Sequence, residues 1–326
     1  MASLRETRDR INSVRSTLKI TSAMKLVASA KLRKAQRAIE SLRPYERTLA
    51  EILGAVRMAG TAAIRAGEAS SRADGNYFSD KFAEKPISAP PSTTPTHASP
   101  ERTAIVAIAS NSSLCGGFNA NVVKKALETV REVDGEVELY PVGRKMAEGL
   151  RRAGYGWQGD WNELIAHPSY EQSAALACSL SERFLAGGIS RVVLVYTRFK
   201  SAASQEPVAE TWLPFGEILR SAQDDKKGNT NDHGVILSEV EESDYILEPD
   251  AEALVAQLLP QVMLLKFHAA ILDSAAAEQA ARTIAMQTAT DNAEDLLGEL
   301  TLEYNKGRQQ KITAEILDLL GGDQNR

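Results

Sequence analysis

The feature that most constrains this chain is a seam of apolar and small residues, repeating at three- and four-residue steps, at each of its two ends. Near the start the seam reads Ile11, Val14, Leu18, Thr21, Met24, Val27 or Ala28, Leu32, Ala35, Ile39 and Leu42, the spacing of a coiled coil. Successive three-residue steps around Met24 predict a stammer, which overwinds a supercoil locally. Pro44 removes a backbone donor and crowds the preceding turn, so a kink is expected there, with helix resuming from Tyr45 to about Met58. Toward the other end Val262, Leu265, Ala269, Leu272, Ala276, Ala280, Ile284, Gln287, Ala293, Leu297, Leu300 and Tyr304 keep mostly the same spacing, with Pro260 as a second expected kink. Helices of roughly 55 and 58 residues would be rods of about 80 and 87 Å.

The charges of the two ends are opposite. Residues 1–47 carry twelve Arg or Lys against four acids, a net +8, whereas Asp273 to Glu303 holds seven acids against Arg282 alone. Rods of similar length and opposite sign should lie antiparallel against each other.

The middle of the chain has a different texture. Residues 60–101 lose the periodicity and become rich in Ala, Gly, Ser and Pro, ending in Ser88-Ala89-Pro90-Pro91-Ser92-Thr93-Thr94-Pro95, as in a surface linker. From 102 to 220, short strands (103–108, 137–142, 191–196) alternate with helical stretches (119–130, 144–153, 171–186), which predicts an open α/β sheet of Rossmann-like type. Residues 221–243 are polar without an apolar face and read as an insertion; the C-terminal helical arm then occupies 244–326. The expected fold is thus an N-terminal coiled-coil helix over 1–59, a central α/β domain, and a C-terminal helix that returns along the first.

Several classes of function are disfavoured at this level. No stretch reads as a run of about 20 uncharged apolar residues that would span a bilayer, and the first residues have neither a hydrophobic leader core nor a transit-peptide composition. Synthesis in the cytosol is expected. Cys115 and Cys178 cannot build a disulfide framework or a thiolate zinc site, and the four histidines have no ligand spacing, so neither metal nor cofactor is expected. The basic end could bind nucleic acid through phosphates, but stacking aromatics are missing before Tyr45.

The strongest enzyme-like feature is Ser110-Asn111-Ser112-Ser113-Leu114-Cys115-Gly116-Gly117-Phe118-Asn119, a loop entering a helix where nucleotide-binding sheets hold phosphate. It matches neither G-x-G-x-x-G nor a P-loop, and a tight strand-to-helix turn explains its glycines. Cys115 would need a nearby base to act as a nucleophile; a packed thiol is the simpler reading. In the C-terminal helix, Ala275-Ala276-Ala277, Ala280-Ala281, Ala285 and Ala289 would let backbones approach closely. Polar Gln279, Gln287, Thr290, Asn292, Arg308, Gln309 and Gln310 exceed what a simple zipper needs and point to an interface.

Three motifs resemble the gamma subunit of the F-type rotary ATP synthase: Ile20-Thr21-Ser22-Ala23-Met24-Lys25-Leu26-Val27-Ala28-Ser29-Ala30-Lys31-Leu32-Arg33-Lys34, Leu114-Cys115-Gly116-Gly117, and Glu278-Gln279-Ala280-Ala281-Arg282 running through Ala285-Met286 to Asn292-Ala293. Tyr304-Asn305-Lys306 and Arg308-Gln309 extend the likeness toward the end. The resemblance implies a non-catalytic rotor shaft that couples proton flow through a membrane ring to conformational cycling of alternating alpha and beta subunits. It further implies contacts with epsilon and the ring of c subunits, and a peripheral place on the cytoplasmic side of the cell (inner) membrane. By position in the motifs, Met24, Lys25, Lys31, Arg33 and Lys34 would face beta-subunit levers. Gln279 and Arg282 would be subunit contacts, and Arg308 with Gln309 would make a polar contact higher in the ring. Where family members carry Asp-Arg-Gly before the Leu-Cys-Gly-Gly turn, this chain has Asn111-Ser112-Ser113. The alternatives are a nucleotide-binding α/β enzyme with helical arms, and a coiled-coil scaffold or nucleic-acid-binding protein.

Overall fold

The structure, a computed structural model, describes residues 4–65, 102–214 and 251–322. Most of the expected linker (66–101) and the whole 221–243 segment lie outside the described residues. In chain order the elements are α1 (Leu4–Arg65), β1 (Arg102–Ile108), α2 (Phe118–Glu132), β2 (Glu136–Val142), α3 (Arg144–Arg152), α4 (Asn162–Ala166), α5 (Tyr170–Leu185), β3 (Arg191–Phe199), β4 (Gln205–Leu213) and α6 (Ala251–Gly322). The expected mixture of long terminal helices and a central α/β sheet is present. The helices α1 and α6 each run through their internal proline, Pro44 and Pro260, as one element. Helix therefore does not stop and resume at Pro44, and α1 continues past Met58 to Arg65.

The contacts divide the chain into two compact units. One comprises Met1–Leu32, Leu114–Gly116 and Gln279–Arg326; the other comprises Arg33–Ser113 and Gly117–Glu278.

The first unit is a helix pair. Thr290 Oγ1 meets Thr21 Oγ1 at 3.1 Å, and a Cβ placed on Gly307 would lie 3.1 Å from the Leu4 side chain. Moving down α1 from Thr21 to Leu4 thus corresponds to an equal step up α6, which makes the pair antiparallel. The seam resolves two sequence ambiguities. Ala28 is buried while Val27 is 57% exposed, so Thr21, Ala28 and Leu32 follow an unbroken heptad and no stammer is required. The intervening seam position falls on half-buried Lys25, whose aliphatic stem can lie along the groove. On α6, Met286 occupies the seam in place of Gln287, which instead bonds Asp291. Near the end Gly307 supplies the contact, and Ile312 is 43% exposed.

The second unit contains the sheet, in order β2-β1-β3-β4, with β1 parallel to β2 and β3, and β4 antiparallel at the edge. Alternation along β1 sends Ala104, Val106 and Ile108 to one face and Ile105 and Ala107 to the other. On the first face they join α4, α5, Leu49 and Leu53 of α1, and Leu259, Val262, Met263 and Phe267 of α6. On the second they join Val122, Ala126 and Val130 of α2 with Met146 and Leu150 of α3. Both faces are covered, so the strands are apolar throughout. The fourth strand, β4, was not visible in the sequence. It brings buried Trp212, whose indole donates to the Met263 carbonyl at 3.1 Å and packs edge-on against Phe267.

α6 also holds an 18-residue window of mean hydropathy 1.5, 44% of it buried, which by length and composition passes for a membrane span. The window is not an uncharged run, since no stretch of α6 between residues 253 and 317 reaches 18 residues without a charged side chain. Its apolar side chains Val262, Met263, Phe267 and Ile271 are core residues of the sheet unit, which accounts for the hydropathy without a bilayer.

One glycine is imposed by the meeting of β1 and β2. Gly143 has φ 98°, and a Cβ on it would lie 2.2 Å from the Ala109 carbonyl oxygen, where backbone bonds Ala109 to Val142 and Lys145 to Ser110 draw the two strand ends together. Gly154 also has positive φ, 82°, but with open space around it. We expect Gly143→Ala to destabilise the chain by about 3 kcal/mol or more, and Gly154→Ala by only about 1–2 kcal/mol from backbone strain. Urea titration of both purified variants checks this; equal losses would mean the clash at Gly143 is relieved by an unforeseen shift.

Candidate functional site

The candidate contact residues are distributed along the two long helices. In the helix-pair unit, Met24 and Lys25 are half-buried beside the seam, and Lys31 is exposed. Gln279 and Arg282 are half-buried on α6, and both take part in interactions within the structure. The Thr21–Thr290 register places Met24 level with Gln287 and Lys31 level with Ala280, so the basic N-terminal motif and the Glu278–Ala293 run form adjoining stretches of one surface. Arg308 and Gln309 are exposed, one and two residues past the Leu4–Gly307 contact. Arg33 and Lys34, also exposed, belong to the sheet unit.

The surface around these residues is apolar as well as basic. Ile20, Leu26, Val27 and Leu302 are 61, 67, 57 and 73% exposed, and Ile284 and Leu296 are also uncovered. The seam positions between them are occupied largely by small or polar residues: Thr21, Ala28, Ala280, Thr290 and Ala293 are buried.

The loop after β1 is held by its own polar groups. Ser110 N–H donates to Asn119 Oδ1 at 3.1 Å, the Ser110 hydroxyl lies 2.6 Å from the Ser112 carbonyl, and Asn119 Nδ2 donates to that same carbonyl. Asn111, at the place of the family's Asp-Arg-Gly, accepts the first N–H of α3 from Arg144 at 2.9 Å and donates to the Asn162 carbonyl at 2.6 Å. Its neutral amide therefore ties the starts of α3 and α4 to the loop. The turn itself needs left-handed backbone at Leu114 (φ 66°) and Gly116 (φ 58°). In the helix-pair unit, Cys115 is buried, and a Cβ on Gly116 would sit 3.8 Å from Ala285 of α6. A loop that could cradle phosphate is instead folded onto itself and against a helix, and its cysteine is a packed thiol.

A hydroxyl–imidazole pair escaped the sequence reading because its members are 95 residues apart. Ser173 Oγ and His268 Nδ1 are 2.6 Å apart, and burial holds the imidazole below its ordinary pKa. Ser173 is fully buried, with its hydroxyl also at the Ser169 carbonyl. A nucleophile must reach its substrate, so this pair serves to pin α5 to α6.

Comparison with known proteins agrees with this geometry. A family model described as ATP synthase matches residues 3–324. The ATP synthase gamma chain of Bacteroides fragilis is 46% identical over 326 residues, covering 99% of both chains. That of Phocaeicola vulgatus is 43% identical over 327 residues at the same coverage. Among solved structures, a chain of the Euglena gracilis mitochondrial ATP synthase rotor shares the fold with a TM-score of 0.55, at 18% identity and covering 95% of this chain and 98% of its own. A chain of the Tetrahymena thermophila central stalk and c-ring structure gives a TM-score of 0.51 at 23% identity, covering 83% of this chain and 99% of its own. With the family matched from end to end and relatives of equal extent, this chain belongs to the ATP synthase gamma chains.

Proposed function

We propose that this chain is the central rotor shaft of an F-type ATP synthase, a non-catalytic subunit that couples proton flow through the membrane ring to ATP synthesis in a surrounding alpha/beta hexamer. Its place in the family supports the rotor role. The observation that carries the reading is the helix pair's outer surface, where Ile20, Leu26, Val27 and Leu302 stay uncovered while small and polar residues share the seam with larger ones. Large apolar side chains left uncovered along the helix pair suit an interaction surface. A stiff rod whose faces differ can bias several identical sites by offering each a different contact. In this reading Met24, Lys25, Lys31, Arg33 and Lys34 meet beta-subunit levers, Gln279 and Arg282 are further subunit contacts, and Arg308 and Gln309 make a polar contact higher in the ring. The sheet unit works with epsilon and the c ring, at the cytoplasmic face of the cell membrane.

Catalysis then belongs to the neighbours. The purified single chain is expected to hydrolyse no ATP above background and to give no heat of ATP binding in calorimetry. Robust turnover by the lone chain would remove the rotor-only reading.

The contact assignment is tested at Arg308 and Gln309. Both are exposed, so replacing them with Ala should change the stability of the isolated chain by no more than about 0.5 kcal/mol. Inside a subunit ring the same guanidinium and amide would be desolvated against a partner, where truncating one member of a charged contact costs about 2–5 kcal/mol. We therefore expect the purified double-variant complex to keep its full subunit content while ATP synthesis and ATP-driven proton pumping fall several-fold. Wild-type rates in a fully assembled variant would show these residues to be solvated surface.

A further inference from the structure

Within the sheet unit, charged side chains from four elements close on one cavity of ≈ 70 Å³. Glu46 of α1, Tyr196 of β3, Glu210 of β4, and Lys266 and Asp273 of α6 line it, and Arg43 of α1 and Arg198 of β3 reach its edge. The pairing among them is uneven. Glu210 is well served, since Arg198 forms a salt bridge to it and the Tyr196 hydroxyl donates to it at 3.1 Å. Asp273, its side chain 15% exposed, has Arg43 at a long 3.6 Å. That guanidinium is itself 58% exposed and also donates to the Phe199 carbonyl. Half-buried Glu46 makes no salt bridge among the described residues; the charges of Lys266 and Arg43 oppose the rise of its carboxyl and that of Glu210 adds to it.

Two under-paired carboxylates, one on each long helix, therefore face a shared cavity. Burial above all pushes the Asp273 carboxyl up to about 6, with Arg43 opposing and the Glu46 charge adding to the rise. Burial raises Glu46 as well.

We propose that this cavity is a proton-responsive contact between α1 and α6, in which uptake of one proton by the Asp273–Glu46 pair tightens the packing of the two helices and its loss loosens it. When the pair is fully ionised, two desolvated negative charges sit across the helix contact, held by a mostly solvated arginine and a lysine. One proton from solvent removes one of these two charges. Arg43, more exposed than its partner, is then free to turn to water. The sign follows from linkage. With its folded pKa raised above the ordinary 3.8, Asp273 binds more protons folded than unfolded between those values. Its favourable contribution is present in acid and lost as pH rises through about 6. The Arg198–Glu210 salt bridge joins β3 to β4 and lies outside the α1–α6 contact.

Hydrogen exchange on the full chain tests this, read on backbone amides 42–49 of α1 and scaled to unstructured rates at each pH. Between pH 7.5 and 5.0 the wild-type protection of this segment should rise roughly tenfold, the size set by the Asp273 shift. Asp273→Asn, a neutral isostere, should show the high protection at both pH values. Glu46→Gln, lacking the like charge, should move the midpoint of the response to lower pH. Residues 122–130 of α2, on the other face of the sheet, serve as a control with no such rise. A wild type without the response, or Asp273→Asn with the full response, overturns the proposal. If Asp273→Asn yields no folded chain, an unchanged midpoint in Glu46→Gln overturns it equally.

Discussion

Everything else in this molecule depends on one contact, the antiparallel pairing of the chain's own two ends. It closes over most of the sequence, so the ordering entropy is large and local propensity alone cannot specify it. Specificity comes from a heptad seam with marked positions. Thr21 and Thr290 place two hydroxyls within 3.1 Å of each other in a buried layer. Leu4 enters a space at Gly307 that tolerates no side chain without a shift. A slip by one heptad would set the Thr290 hydroxyl against Val14 or Ala28 and put Leu300 or Ala314 opposite Leu4 in place of Gly307, so both positions penalise the wrong register.

The sheet unit solves a different problem, that of anchoring helices far longer than the sheet needs. It does so by taking parts of α1 and α6 into its own core through Leu53, Val262 and Phe267, packed with Trp212 of β4. A proline inside each helix leaves one carbonyl without its intrahelical donor, yet both helices continue, because packing outweighs one lost bond. The carboxyl end of a parallel sheet is where α/β folds usually bind ligands. Here the loop at that position is tied by Ser110, Asn111 and Asn119, and its Leu114–Gly116 turn packs within the helix-pair unit. Backbone and side chains complete the place that a phosphate would occupy in an enzyme.

How much of this was legible in the sequence follows from the range of the forces involved. Helix periodicity and apolar strands are local signals, and they located α1, α2, α3, α5, α6 and three of the four strands. β4 was missed because an edge strand half open to solvent keeps Pro207, Glu206 and Glu210 and so lacks a continuous apolar run. The seam residue at Ala28 and the substitution of Met286 for Gln287 could not be decided, because adjacent residues differ by only 100° around a helix and periodicity tolerates either. The Asn111 contacts and the charged cavity are products of side chains tens to hundreds of residues apart. The family motifs named candidate contact residues, and the structure shows where they stand without the surfaces they would meet.

The allocation of side chains in the helix pair departs in part from that of a coil that stands alone. A free coiled coil gains most by burying its largest apolar residues in the seam and leaving small and polar ones outside. In this pair Thr21, Ala28, Ala280, Thr290 and Ala293 share the inside with Ile11, Leu32, Met286 and Leu300, while Ile20, Leu26, Val27 and Leu302 face outward. Each outward residue forgoes on the order of 1 kcal/mol relative to full burial, so the arrangement weakens an isolated shaft. Small seam residues, however, bring the backbones close and make a slender, stiff rod, and the outward residues become contact area once a collar of other subunits surrounds it. A surface that is unfavourable in water and useful only inside another protein is the physical mark of a shaft, and it is written in the order of large and small residues along two heptad repeats.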